Sequence, residues 1–237
     1  MDIWSKYDSC KTMNENLTEY YEAVKYCHSQ SLAQIMSGRV EIALDVACGN
    51  GDSTQVLSQY SEMVLGIDSS ESLIEKAKQT LSSKHYRFEC QTFEDANFGE
   101  NRFDLISSTW FLNNVHTDEG LNQALEKMHQ LLRPEGKIIF IVPSASYTSP
   151  EIQKIAREQY GWLKAWTEVQ ETHTRGVFYY GDQWIPITVW QPMYLMKTMT
   201  PFFNVQAWDV KSTLIQGQRL ESLLTEPPFE IIYGSRK

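Results

Sequence analysis

The stretch Ala43-Leu44-Asp45-Val46-Ala47-Cys48-Gly49-Asn50-Gly51-Asp52-Ser53-Thr54 decides how this chain is read. Residues 42–46 form a short apolar run with β-branched members, the pattern of a buried parallel strand. The run meets a Gly-x-Gly turn. Gly49 and Gly51 carry no Cβ, so the turn can be tight and a ligand can approach its backbone. A second apolar run, residues 63–67, ends on Asp68, 19 positions after Gly49. An acid near that spacing is placed to accept both hydroxyls of a ribose. The two strand ends together describe a pocket for the adenosine half of a nucleotide-like ligand. A dinucleotide site would add a third glycine where the pyrophosphate meets a helix N-terminus. Here that region reads Asp52-Ser53-Thr54, and Asp52 would repel a phosphate. Asp45 points instead to a ligand with a positive group.

This pattern, acidic-x-small-x-Gly-x-Gly, resembles the first motif of the class I, seven-strand, Rossmann-like S-adenosylmethionine-dependent methyltransferases of small-molecule type. The resemblance runs on through most of the chain. Gly66-Ile67-Asp68-Ser69-Ser70 and Leu73-Ile74-Glu75-Lys76-Ala77-Lys78 are similar to the family's second strand and helix. Phe93-Glu94-Asp95-Ala96-Asn97-Phe98 and Phe103-Asp104-Leu105-Ile106-Ser107-Ser108 are similar to its third and fourth strand ends. Leu131-Leu132-Arg133-Pro134-Glu135-Gly136-Lys137-Ile138-Ile139-Phe140 is similar to the helix, turn and fifth strand that follow. A Gly-x-Gly alone is an ordinary turn, and Asp68 alone can cap the next helix. The order and spacing of five fragments carry the resemblance. It implies an α/β fold: a doubly wound seven-strand sheet with the last strand antiparallel, an N-terminal helix and an aromatic-rich cap insertion. The implied cofactor is S-adenosylmethionine, held by Asp45, Ala47, Gly49, Gly51, Asp68, Ser69, Phe93, Glu94 and Ser108. Thr92 stands where relatives often carry an acid for the adenine amine.

Bulk properties narrow the partners. The chain has 237 residues, enough for one large domain with a full core. Its net charge is −9 and its pI is near 5.1. Enzymes of nucleic acids usually present a basic surface, and no basic run exists here. Cys10, Cys27, Cys48 and Cys90 form no metal-spaced pair and read as reduced thiols. Met1-Asp2-Ile3-Trp4-Ser5-Lys6 is no signal peptide, and no run of roughly twenty apolar residues occurs. The expectation is a cytoplasmic protein with no membrane span, no nucleic acid and no metal. Nothing in the sequence fixes its oligomeric state.

Along the chain, residues 1–40 read as a polar, aromatic arm followed by a helix over 17–36. Residues 41–145 read as the cofactor-binding core, with helices over 54–60 and 70–81. A further helix starts after Thr117, where acids fill the first turn, and ends before Pro134. Residues 137–142 are a near-continuous apolar strand. Residues 150–200 are where the resemblance implies a substrate cover. Within it the patterning suggests helices over 151–166 and 186–200, and a short strand over 176–181. Residues 201–237 hold the last two strands, 204–210 and 229–233, joined by a helix-like segment over 217–225.

The fourth-strand exit, residues 108–116, should face the transferable group. Trp110, Asn113 and Asn114 are the substrate candidates; Asn113-Asn114 replace the His-His pair of many relatives. An amide orients a substrate but is no base at neutral pH. His116 can accept a proton, and equally reads as a capping histidine at a helix start. Residues 162–208 hold five of the seven tryptophans, with Tyr179, Tyr180, Tyr194, Phe202 and Phe203. They serve either a core or a pocket for an aromatic, apolar or cationic small molecule. The leading expectation is methyl transfer to such a molecule at N, O or C. A protein or RNA methyltransferase and a nicotinamide-dependent oxidoreductase are the alternatives.

Overall fold

The computed structural model describes residues 18–160, 163–180, 183–216 and 227–237. The expected arm over residues 1–15 and the helix-like segment over 217–225 lie outside them. The elements run α1 (Thr18–Ile35), β1 (Val40–Val46), α2 (Asp52–Leu57), β2 (Ser61–Asp68), α3 (Glu71–Thr80), β3 (Tyr86–Cys90) and β4 (Phe103–Thr109). A 3-10 turn (Phe111–Asn114) leads to α4 (Asp118–Leu131) and β5 (Leu132–Pro143). After a second 3-10 turn (Ala145–Thr148) come α5 (Pro150–Tyr160), β6 (Leu163–Val169), β7 (His173–Tyr180) and β8 (Gln183–Trp190). The chain closes with α6 (Pro192–Met199), β9 (Phe203–Trp208), α7 (Val210–Gln216) and β10 (Phe229–Arg236).

Seven strands form one sheet in the order β3-β2-β1-β4-β5-β10-β9. The first five are parallel, and β10 runs antiparallel to both β5 and β9. Strand order reverses between β1 and β4, the switch point at which open α/β sheets bind ligands. The sheet is buried on both faces, so its central strands are apolar throughout. Leu44, Val46, Ile106, Ile138 and Phe140 pack with α4 and α6. Ala43, Leu105, Ile139 and Ile141 pack with α1, α2 and α7.

Residues 150–200 depart from expectation. The helix expected over 151–166 stops at Tyr160, and Leu163–Val169 is a strand. The helix expected over 186–200 is half strand: β8 runs to Trp190 and α6 begins at Pro192. β6, β7 and β8 make a separate antiparallel sheet. Both prolines fit this arrangement. Pro186 lies exposed on an edge strand, where a missing N–H costs little. Pro192 opens a helix, where its fixed φ is already right. The small sheet docks through Trp190, a fully buried ring whose Nε1 donates to the Leu112 and Val115 carbonyls at 3.1 Å each. Arg175 donates to the His116 carbonyl at 2.9 Å across the same seam. No helix among the described residues is long and apolar enough to cross a membrane.

Candidate active site

A cleft of about 510 Å³ opens at the carboxyl ends of β1, β2 and β4, under α1 and the small sheet. Its polar end is made by the glycine turn. Ala47, Gly49 and Gly51 all take positive φ, at 59°, 53° and 93°. A Cβ on Gly49 would meet nothing within 4 Å, so this residue leaves the cleft floor open to a ligand. A Cβ on Gly51 would lie 2.8 Å from Leu81 Cδ1; this glycine faces α3 and lets the turn seat against it. Asp68 closes the loop. Its Oδ2 accepts the Gly49 N–H at 2.9 Å, and its Oδ1 accepts the Ser70 N–H at 2.9 Å. A carboxylate oxygen has two lone pairs and can accept more than one hydrogen bond. Ser69, Phe93 and Glu94 line the same end. Thr92 Oγ1 donates to Asp95 and accepts the Asp95 N–H, so it shapes this turn.

Asp45 does not reach the cleft wall. It shares a face of β1 with Ala43 and is fully buried beneath α2. Its Oδ2 accepts from Ser53 Oγ at 2.7 Å and Thr54 Oγ1 at 2.6 Å, while Oδ1 has no hydrogen-bond partner. Burial is the main cause that pushes its carboxyl up to about 7, against the lowering effect of both hydroxyls. Asp45 therefore pins the start of α2 beneath the glycine turn. Asp52 is also altered by its surroundings. Lys25 Nζ sits 2.7 Å from Asp52 Oδ1, so the charge that would repel a phosphate is largely paired.

The fourth-strand exit divides. Trp110, Asn113 and Asn114 line the cleft, as does Thr109. Trp110 holds φ 65°, a left-handed conformation that costs a non-glycine residue about 1–3 kcal/mol. Its ring stacks on Tyr20 of α1, with centroids 6.2 Å apart, and meets the edge of Phe229. Ser108 alternates to the opposite face of β4 and is buried away from the cleft. His116 also stands outside the cleft lining. Its Nδ1 pairs with Thr188 Oγ1 at 2.9 Å, and burial followed by the nearby Arg175 charge lowers its pKa. It ties the turn after β4 to the small sheet.

The other end of the cleft is apolar and rests on residues the sequence pattern did not single out for it. Phe178, Ile185 and Ile187 come from the small sheet, Tyr147 from the turn after β5, and Tyr20, Val24 and His28 from α1. Tyr147 lies beneath Lys164, whose Nζ stands 3.4 Å from the ring centroid. Burial lowers the Lys164 ammonium to about 7. Most of the aromatic cluster flagged in sequence goes elsewhere. Trp190 stacks on Tyr194, Phe202 and Phe203 pack on His129, and Trp208 meets Tyr233. A signal for His28 was present. Tyr20, Val24 and His28 follow at i, i+4 and i+8 on one helical face.

Residues 44–140 match the family model described as a methyltransferase domain. The ubiquinone biosynthesis O-methyltransferase of Coxiella burnetii is 31% identical over 99 residues, 41% of either chain. The demethylmenaquinone methyltransferase of Staphylococcus epidermidis is 27% identical over 184 residues, 69% of this chain and 73% of its own. The Coxiella match thus spans about two fifths of that relative's length. Among solved structures, a Pyrococcus horikoshii protein superposes with a TM-score of 0.71 at 19% identity, covering 98% of this chain and 99% of its own. An S-adenosylmethionine-dependent methyltransferase from Mesorhizobium loti gives 0.62 at 15% identity, covering 89% and 98%. Strand order, the glycine turn with its Asp68 clasp and the domain match converge: residues 44–140 resemble a methyltransferase domain, and the chain has the class I, Rossmann-like fold seen in S-adenosylmethionine-dependent methyltransferases.

Proposed function

We propose that the protein transfers a methyl group from S-adenosylmethionine to a small, largely apolar acceptor enclosed beneath the β6–β8 sheet. One observation carries this reading: a single cleft joins the Asp68–Gly49 clasp to a chamber walled by Tyr20, Trp110, Phe178, Ile185 and Ile187. The donor set suits the ligand. Asp68 has the capacity to accept the ribose hydroxyls, and Gly49 leaves room for the ligand against the backbone. Ser69, Phe93 and Glu94 flank the adenine region. When bound, the ligand supplies an activated methyl on a sulfonium. The sulfonium departs as a neutral thioether, so the protein needs no acid for the leaving group. The chain's contribution is alignment and exclusion of water, which supply much of the acceleration in such a transfer. The chamber wall carries no carboxylate among the described residues beyond Asp52, Asp68 and Glu94. Asp52 is paired with Lys25, and Asp68 and Glu94 belong to the adenosine end. That favours an uncharged acceptor over a cationic one. The quinone-directed activities in the names of two relatives agree with an apolar ring.

Calorimetric titration with S-adenosylhomocysteine and with NAD tests the cofactor half. The expected result is a binding isotherm for the first and none for the second. A response to NAD alone would overturn the reading and restore the oxidoreductase alternative.

A further inference from the structure

His28 is a group for which the reading above has no use. It sits on α1, one part in a hundred exposed, and its Nε2 lies 3.3 Å from Ser107 Oγ on β4. Ser107 is itself fully buried and pairs with Asp45 across the β1–β4 seam, the switch point of the sheet. The imidazole is among the residues that line the cleft near this seam. Burial holds its pKa down to about 4, so at neutral pH it is an uncharged ring, one of whose two nitrogens is an acceptor.

The other ionisable groups of the cleft do not serve. Asp68 carries the Gly49 and Ser70 amides. Asp52 is paired with Lys25. Glu94 is at the adenosine end. Burial raises the Cys48 thiol well above its ordinary value, and likewise the Tyr147 phenol. His28 is thus the one neutral base against the chamber among the described lining residues. A lone polar group in an apolar wall fixes how a ligand lies.

Resting on the methyltransferase reading, we propose that His28, positioned by Ser107, accepts the hydroxyl proton of the methyl acceptor, and that this acceptor is an apolar ring bearing that hydroxyl. The acceptor oxygen forms the new bond to the methyl carbon. The carbon–sulfur bond breaks, and its electron pair stays on sulfur as the thioether. The O–H pair stays on oxygen, giving the neutral ether, and the proton passes to the imidazole. The positive charge that leaves sulfur ends on His28 and then in solvent. A hydroxyl is a poor nucleophile while it holds its proton, and a placed base contributes on the order of 10²–10⁴-fold in such steps.

The test uses the full chain with catechol, 1-naphthol and 4-nitrocatechol as acceptors. The last ionises readily near neutral pH and so needs no base. His28→Asn and His28→Gln keep a polar side chain at the site and remove the base. The expected result is a fall in kcat for catechol or 1-naphthol on the order of 10²-fold. 4-Nitrocatechol should lose only a few-fold. Ser107→Ala should give a smaller loss with the same selectivity. S-adenosylhomocysteine affinity by calorimetry should stay within a few-fold in all variants, which also reports that they fold. Binding of 4-nitrocatechol to the S-adenosylhomocysteine complex, followed by its visible absorption, should persist in both His28 variants. Equal losses on all three phenols, or no loss on any, would overturn the role of His28. Wild-type protein that binds S-adenosylhomocysteine but methylates none of the three would overturn the acceptor class. Failure to bind S-adenosylhomocysteine at all would instead overturn the methyltransferase reading, and this proposal with it.

Discussion

The two ends of the cleft, the proposed cofactor end and the proposed acceptor end, are built by different means. The cofactor end uses main chain and strand termini: a glycine turn with three positive φ angles, clasped by one carboxylate that accepts two amides. The acceptor end uses side chains from three separate places: α1, the turn after β5 and the β6–β8 sheet. A backbone site tolerates little change in geometry, because each N–H is fixed by the fold. A side-chain chamber can be re-shaped residue by residue while the sheet behind it stays the same. One framework can thus keep a constant donor and change its acceptor.

That contrast can be broken most severely at the docking of the small sheet. Trp190→Ala removes a fully buried ring and two hydrogen bonds to the turn after β4. It should lower stability by about 3–5 kcal/mol, or roughly 10 °C in melting temperature. Activity should fall more than S-adenosylhomocysteine affinity does. A variant that melts like wild type would show that the small sheet is not anchored there.

Next in size is a pH effect confined to the cofactor end. The folded-state pKa of Asp45 is raised, to about 7 from an ordinary 3.8. The folded protein therefore binds a proton that the unfolded chain has released. The stability Asp45 contributes is fully present below about pH 4 and is lost as pH rises through about 7, with a slope near 1.4 kcal/mol per unit inside that window. His28 acts oppositely, since its lowered pKa adds stability as pH rises from about 4 towards 6.5. The difference between Asp45→Asn and wild type isolates the first term. In urea melts of the free protein that difference should grow in favour of the variant between pH 5 and 7, by about 2–3 kcal/mol. Parallel curves would mean that Asp45 stays ionised.

Asp68→Ala should weaken S-adenosylhomocysteine binding by about ten- to a hundredfold, since the carboxylate bonds to a ribose are lost. Because the Gly49 and Ser70 amides also lose their acceptor, a stability loss of about 1–3 kcal/mol should accompany it. An unchanged dissociation constant by calorimetry would remove Asp68 from the ribose role. The smallest expected effect sharpens the contrast from the other side. Phe178→Ala opens the chamber and should raise the acceptor KM roughly tenfold, with cofactor affinity within a few-fold. Equal losses in both would merge the two ends into one site.

The glycine turn and the strand ends around it were legible because they are sequential. Asp45, Gly49, Gly51 and Asp68 lie on two neighbouring strand–turn units, and apolar runs of fixed length mark both strands. Even there, alternation along a strand decided outcomes that spacing could not. Ser108 follows the pleat to the face of β4 opposite Thr109, whereas Asp45 shares the Thr109 face but lies deeper, held by Ser53 and Thr54, and the cleft reaches Thr109 instead. The acceptor end was less legible because its members are far apart in the chain: Tyr20, Tyr147 and Ile187 share no local pattern. Pro186 and Pro192 read as flaws in a helix, whereas one sits on an edge strand and the other starts a helix. Among the described aromatics of residues 163–208, Trp184 is exposed, and those that are buried, such as Trp190 and Phe203, serve the core more than the cleft.

One helix belongs to both ends. α1 sets Lys25 on Asp52 beside the glycine turn, Tyr20 on Trp110 over the chamber and His28 on Ser107 at the seam. On the proposed reading, α1 would cover cofactor and acceptor together, and departure of the two products is expected to be coupled in time. Steady-state kinetics should carry the mark of that shared exit, with the demethylated donor inhibiting against both substrates rather than one.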